Sequence, residues 1–454
     1  MVPAARMAPR WTLFGRRRVG TDLPGGGPAS RSAGDSRRLA GPGRQKPPET
    51  QAARRLHRLE VTSAVLGLAP RVALGGLLPY IAVKRLGASL SWVGVMNAAV
   101  YTGFLWNGFF SSVTARVSLK RSVVLLLLLS SCLLAVAAFQ RAIIPYGLAV
   151  VLLLFVGGLT NAQYDTLLVH LYDERERPKK LSFRWMAVSA GGALLAPLFG
   201  RLGELGVGHW PALLLAALIT AAGSMLFSRV PAGREHGMDA FAPIRLLALV
   251  VEDRRFLKLV VVLVLYGWFG TGIGTIDVLL YRRYGLGELA VGLLSGATTL
   301  GMIVAAVAIT PFLRFRGGLS SFRLCLTTSA LSSIILALAG VLDAGRAGVL
   351  LVAAGNFAYG IGATGFTIAS QTSSANLAGG RDVALYVNSF KFFQGVRGIA
   401  FPLVVSWAVV ALPQPVHFSI AVGLTVLCAA ASWWKGADSR SGAPRRAQSS
   451  GRRS

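Results

Sequence analysis

Acidic residues are scarce in this chain: 18 Asp and Glu stand against 47 Lys and Arg in 454 residues. Cysteine (3) and histidine (5) are scarcer still. Cys132, Cys325 and Cys428 sit singly inside apolar runs with no Cys-x-x-Cys pair, which speaks against a disulfide framework and a thiolate zinc site. Each reads as a small buried hydrophobe. His57, His170, His209, His236 and His417 are scattered without metal-ligand spacing, so no metal site is expected. Nothing resembles a Walker A loop, so ATP drive would need a partner protein, and no cofactor is expected. Charge of either sign is short, 14% of residues, where water-soluble domains carry roughly a quarter.

What fills the chain instead is apolar: 54% of residues are hydrophobic. Runs of around 20 apolar residues, long enough to cross a bilayer, recur from Val61 onward. They fall at 62–83, 91–113, 122–140, 143–168, 185–203, 210–228, 258–281, 289–312, 322–341, 347–370, 385–411 and 416–434. The expectation is an all-α polytopic membrane protein with about twelve transmembrane helices.

The net charge of +29 is placed in tails and short loops, not along a soluble face interleaved with aromatics, so nucleic acid is not an expected partner. The loops after the second, fourth, sixth and eighth runs carry Arg116, Lys120 and Arg121, then Arg175, Arg177, Lys179 and Lys180, then Arg245, Arg254 and Arg255, then Arg314 and Arg316. Lys84/Arg85 and Arg282/Arg283 blur the contrast, yet the positive-inside rule puts both termini in the cytoplasm. The preference for Arg over Lys, with abundant Ala, Gly and Leu, suggests a GC-rich bacterial genome and hence the bacterial inner membrane.

Residues 1–58, rich in Gly, Pro, Ser and Arg, read as a disordered basic tail lacking the apolar core of a secretory signal. Translation starting nearer Leu59 is the alternative. Residues 436–454 read as a second basic tail. Between them lie a first bundle (59–228), a linker (229–257) and a second bundle (258–435). Within the linker, RLLALVVEDRRFLKL is expected to form an amphipathic helix on the membrane surface.

The two bundles repeat. KRLGASLSWVG (84–94) aligns without gaps to RRYGLGELAVG (282–292), sharing the basic pair, the Gly and the closing Val-Gly. At the same offset Arg116 falls on Arg314. GGALLAP (191–197) matches VRGIAFP (396–402) with the prolines aligned. Parallel six-helix repeats are characteristic of one transporter architecture.

On these features the chain resembles the major facilitator superfamily over nearly everything after residue 60. ARVSLKR (115–121) resembles the family's Asp-Arg-x-Gly-Arg-Lys loop motif, with Ala115 in place of the acid and Ser118 in place of the Gly. GGALLAPLFG resembles the family's antiporter motif, with Ala196 before Pro197 and Arg201 after Gly200 where glycines are usual. The resemblance implies two pseudo-symmetric six-helix bundles that rock about a midplane site by alternating access. It implies a small-molecule substrate and a monomer in the lipid bilayer. An embedded enzyme or a transport-inactive scaffold is the alternative.

Ionisable residues inside the membrane are functional candidates. Arg71 and Arg397 lie near mid-membrane on the length rule. In the resembled fold they would face one cavity from opposite halves and could hold an anionic group. The competing role is structural, bonding freed carbonyls or pairing with another span. Asn97, Tyr101, Gln163, Asn356 and Gln394 complete the substrate-binding candidates. Asp277 is the proton-coupling candidate, because desolvation favours a neutral carboxyl, with pairing to Arg282 or Arg283 as the alternative. Arg116, Lys120, Asp165 and Lys391 form a candidate cytoplasmic gate. The paired arginines lean toward an anionic substrate and the antiporter motif toward export.

Overall fold

Polar backbone in hydrocarbon must be satisfied internally, and this chain does so with helices. The computed structural model describes residues 51–113, 118–172, 176–205, 208–230, 243–342, 345–378 and 383–433. The helices are α1 (Gln51–Leu74), α2 (Leu77–Leu86), α3 (Leu90–Val113), α4 (Leu119–Phe139), α5 (Ile143–Leu171), α6 (Arg177–Glu204) and α7 (Trp210–Phe227). They continue as α8 (Pro243–Glu252), α9 (Arg254–Leu265), α10 (Gly267–Arg283), α11 (Glu288–Val341), α12 (Gly345–Leu377), α13 (Val383–Ala411) and α14 (Gln414–Trp433). Among the described residues, nine helical stretches are long and apolar enough to cross a membrane, or ten with α1 and α2 counted as one bent span.

The two remaining expected spans are present but carry a weaker signal. α3 has 24 residues and no charge, but Asn97, Tyr101 and Asn107 lower its hydropathy. The seventh span is divided into α9 and α10, each too short alone. The faces turned outward are apolar: Leu194 is 78% exposed and Leu350 72%. Asp165, Asn356 and Arg397 are buried inside. That inverted distribution suits lipid as the surrounding solvent, and the protein is a multi-pass membrane protein.

Four details refine the expectations. Helix α1 starts at Gln51, inside the stretch read as tail, and its spanning part at Arg54. The span is also bent by 41° where α1 gives way to α2. Pro79 cannot donate to the Gly75 carbonyl, and Gly75–Gly76 supply a pliable joint. The expected amphipathic helix of the linker is two helices. Asp253 interrupts it by accepting from the backbone N–H groups of Arg255 (2.9 Å) and Phe256 (3.3 Å), an N-cap for α9. The eighth and ninth spans form one helical run, α11. Straight, it would reach about 81 Å. Instead it folds back. The Tyr284 hydroxyl, just before its start, donates to the Ala339 carbonyl near its end (2.6 Å), and Arg283 donates to Gly340.

We call the end of the bundle holding Gln51 the near end, and the end holding the α2–α3 turn the far end. The repeat seen in the sequence recurs in the backbone at the far end. Gly87 and Gly285, each just after a basic pair, adopt left-handed φ of 70° and 59°. A Cβ is strained in that region, so the shared Gly ends both helices the same way.

Candidate functional site

The break between α1 and α2 opens onto a cavity of about 350 Å³ between the two halves. α1 to α5 line it from the first half, and α10, α11 and α12 from the second. Of the residues expected to bind substrate, Arg71, Asn97 and Tyr101 line it, as does Asp277. Asn161 and Tyr359 are also in the wall.

Arg71 has all three guanidinium nitrogens shielded from solvent and without a hydrogen-bond partner. Gly157 of α5 stands opposite, where a Cβ would lie in ordinary contact, 3.5 Å from Nη1. Asp277 Oδ1 and Asn97 Nδ2 are likewise buried and unpartnered. Beside Asp277, Asn356 donates to the Tyr281 hydroxyl (3.2 Å). Leaving such groups unpaired costs roughly 1–3 kcal/mol each, more when charged. Binding sites tolerate that cost because a ligand repays it.

Arg397 is placed differently. It is outside the cavity lining, and Nη1 donates to the Leu263 carbonyl at 2.7 Å. Its guanidinium lies over the Tyr266 and Phe366 rings, 5.4 and 5.6 Å from their centroids. The α9–α10 break falls at Tyr266, and a broken helix leaves carbonyls to be satisfied from outside. Arg397 does this for Leu263. Gln163 is also engaged within its own half, donating to Asn107 Oδ1 (2.8 Å). Asn356 is fully buried behind the cavity wall, and Gln394 is half-buried outside it.

Near the near end, Asp165 of α5 pairs with Lys391 of α13 at 2.8 Å, joining the two halves. Arg184 of α6 approaches the same carboxylate at 3.5 Å and stacks over Tyr164. Lys120 stands half-exposed at the start of α4, and Arg116 lies outside the described residues. Sequence reasoning missed Arg184, one residue before the fifth apolar run. Glu60 was missed too: fully buried, it accepts from Tyr164 (2.6 Å) and Tyr172 (3.0 Å). At the far end Arg85 bonds Glu288 and the Gly203 carbonyl, both at 2.5 Å. Lys84 and Tyr80 donate to the Leu286 carbonyl, and Glu204 accepts from Leu289 N–H (3.0 Å). Glu288, spaced from Arg85 by 203 residues, gave no local sequence signal.

Several solved transporters share this arrangement. A mutant of the nucleoside transporter NupG superposes with a TM-score of 0.66 at 13% identity, over 83% of this chain and 98% of that one. The human organic anion transporter MFSD10 (TETRAN) gives 0.64 at 16% identity, over 85% and 100%. A bacterial homologue of the iron transporter ferroportin, in an outward-facing state, gives 0.59 at 14%, over 83% and 97%. No protein-family model matches the chain, and no curated protein matches it in sequence. At such identities the likeness shows the fold. It is the fold these solved transporters share.

Proposed function

We propose that this protein is a secondary transporter that moves a small charged solute by alternating access, without enzymatic activity. The observation that carries this is the cavity between the halves, into which each half places an ionisable group with shielded, unpartnered polar atoms, Arg71 from α1 and Asp277 from α10. A site at the seam of two bundles is exposed to one side or the other as the bundles rock, and this is how such repeats transport. Arg71 supplies a charge-assisted donor for an anionic group. Asp277 is the proton-coupling carboxylate, Asp165–Lys391 is the near-end gate and Arg85–Glu288 the far-end gate. The basic loops support a cytoplasmic near end by the positive-inside rule, and the membrane is taken as the inner membrane of a bacterium. The working unit is the monomer, because the cavity is completed within one chain.

Purified protein in liposomes tests this. Counterflow of labelled metabolites, abolished by Arg71→Gln, is the expected result. A full panel of small anions, cations, zwitterions and neutral solutes with no counterflow would overturn the reading. Transport indifferent to an imposed pH gradient and unchanged in Asp277→Asn would remove the coupling role.

A further inference from the structure

The cavity wall brings a cation and an acid to one volume and leaves shielded polar atoms of each without a partner. Arg71 has three shielded donor nitrogens with no acceptor, and Asp277 has a shielded oxygen with no donor. No ion pair joins them, although both line one volume of about 350 Å³. The two groups come from α1 and α10, elements of different halves, so they are separate demands on one occupant.

An occupant with a single negative charge would answer Arg71 and leave Asp277 Oδ1 buried without a donor. A single positive charge would do the reverse. A neutral solute would answer neither fully. Burying an unmatched charge is costly by several kcal/mol, so each incomplete ligand is selected against by the group it fails to meet. The remaining wall suits an apolar body between two charged ends. Leu134, Leu153, Ile273 and Met302 supply hydrocarbon, and Tyr101 and Tyr359 supply flat amphipathic faces. On the Arg71 side, α2 begins at Leu77 after the N-cap Gly76, without a side-chain cap, and Gly75 and Gly76 both line the cavity. Helix N-termini favour negative charge, so this joint adds to Arg71 on the carboxylate side.

We propose that the substrate class is a small zwitterion, with a carboxylate and an ammonium separated by an apolar body, as in an aromatic or aliphatic amino acid or a short peptide. This rests on the transporter reading and specifies its substrate. Arg71 takes the carboxylate and Asp277 the ammonium. Asn97, whose amide nitrogen is unpartnered and packed against Gly274, adds a neutral donor in the same wall.

The test uses the full chain in proteoliposomes and in detergent, with matched probes sharing one apolar body. These are L-phenylalanine (zwitterion), 3-phenylpropionate (no ammonium), phenethylamine (no carboxylate) and 3-phenylpropanol (neither). Pools of the standard amino acids and of dipeptides accompany them, each beside its N-acetylated and amidated forms. At least one zwitterion is expected to raise the melting temperature and drive counterflow, with affinity at least about tenfold above its blocked forms. Arg71→Gln should abolish the preference over the amidated form, and Asp277→Asn the preference over the acetylated form. Arg71→Lys and Asp277→Glu keep the charges and should keep the discrimination, which separates recognition from folding. Equal affinity for a zwitterion and its blocked forms would overturn the proposal. So would transport of a singly charged or neutral solute with no zwitterion bound, and in that case the transporter reading stands. Absence of counterflow for every solute, with or without binding, would instead remove the transporter reading.

Discussion

Arg397→Met separates a structural arginine from a binding one. The substitution keeps the length and apolar volume of the side chain and removes the guanidinium. It deletes the 2.7 Å bond to Leu263, whose cost is that of the carbonyl left unpaired. It also deletes the contacts over Tyr266 and Phe366, each worth about 0.5–2 kcal/mol. In the other direction, methionine no longer carries a buried charge whose desolvation costs several kcal/mol. The two terms nearly offset. What remains is the Leu263 carbonyl left unpaired at a helix break, about 1–3 kcal/mol. The net expectation is a loss of about 2 kcal/mol, read as a fall of a few degrees in melting temperature in detergent. Arg397→Lys should be intermediate, since an ammonium gives a point donor and cannot lie flat across two rings. Ligand affinity, measured on the folded fraction, should stay within about threefold, because the residue is outside the cavity lining. An unchanged melting temperature together with lost binding would refute the capping role and return Arg397 to the substrate site.

Other expectations follow from single contacts. Asp253→Ala removes the α9 cap and the bond from Tyr386 (2.9 Å), so stability should fall by about 1–2 kcal/mol. Asp253→Asn should recover most of the loss, both read by thermal melting. Gly158→Leu should abolish folded protein on size exclusion, because even a Cβ there would collide with the Val100 carbonyl of α3. With a cysteine at Ser295, in the cavity wall, Lys391→Met should speed its labelling by an impermeant thiol reagent from the near end. Arg85→Gln should speed labelling from the far end.

Periodicity and composition reveal the fold well, because lipid demands long apolar runs and the two halves repeat in register. They do not reveal where a helix bends. Pro79 and the glycine pair were in plain view, yet a run of apolar letters reads the same through a 41° joint. They also hide α11, since a helix that folds back looks like two spans. For the site, the depth argument singled out Arg71 and Arg397 near mid-membrane and set Asp277 nearer the outer end, and of the two arginines Arg71 lines the cavity. Depth could not distinguish facing a cavity from facing a neighbouring carbonyl, and Arg397 turns on that distinction. Partners such as Arg184 and Glu288 lie near span ends, where a charge is unremarkable until the fold brings its counter-ion within reach.

The comparison of Gly192 with Arg397 shows how a duplicated frame acquires different functions in its halves. The two positions correspond in the aligned repeats. Gly192 admits close contact: a Cβ there would lie 3.1 Å from Val72 and 3.3 Å from Thr299, so α6 packs tightly beside the cavity wall. In the second half the same position carries a long cation, because the helix it faces is interrupted at Tyr266 and exposes the Leu263 carbonyl. Each half therefore breaks its first spanning helix and compensates differently. The first half leaves its break, with Arg71 one turn before it, open to the cavity. The second half covers its break with Arg397. The first half's joint is thus free to change shape around a ligand, while the second is pinned. If rocking is driven from the open joint, stiffening it should slow transport more than it weakens binding. Gly75→Ala/Gly76→Ala is the direct perturbation. Gly76→Ala alone would bring a Cβ within 2.9 Å of the Ser295 hydroxyl, so the Gly75→Ala single variant carries the test: counterflow slowed with affinity kept supports a hinge, and both unchanged removes it.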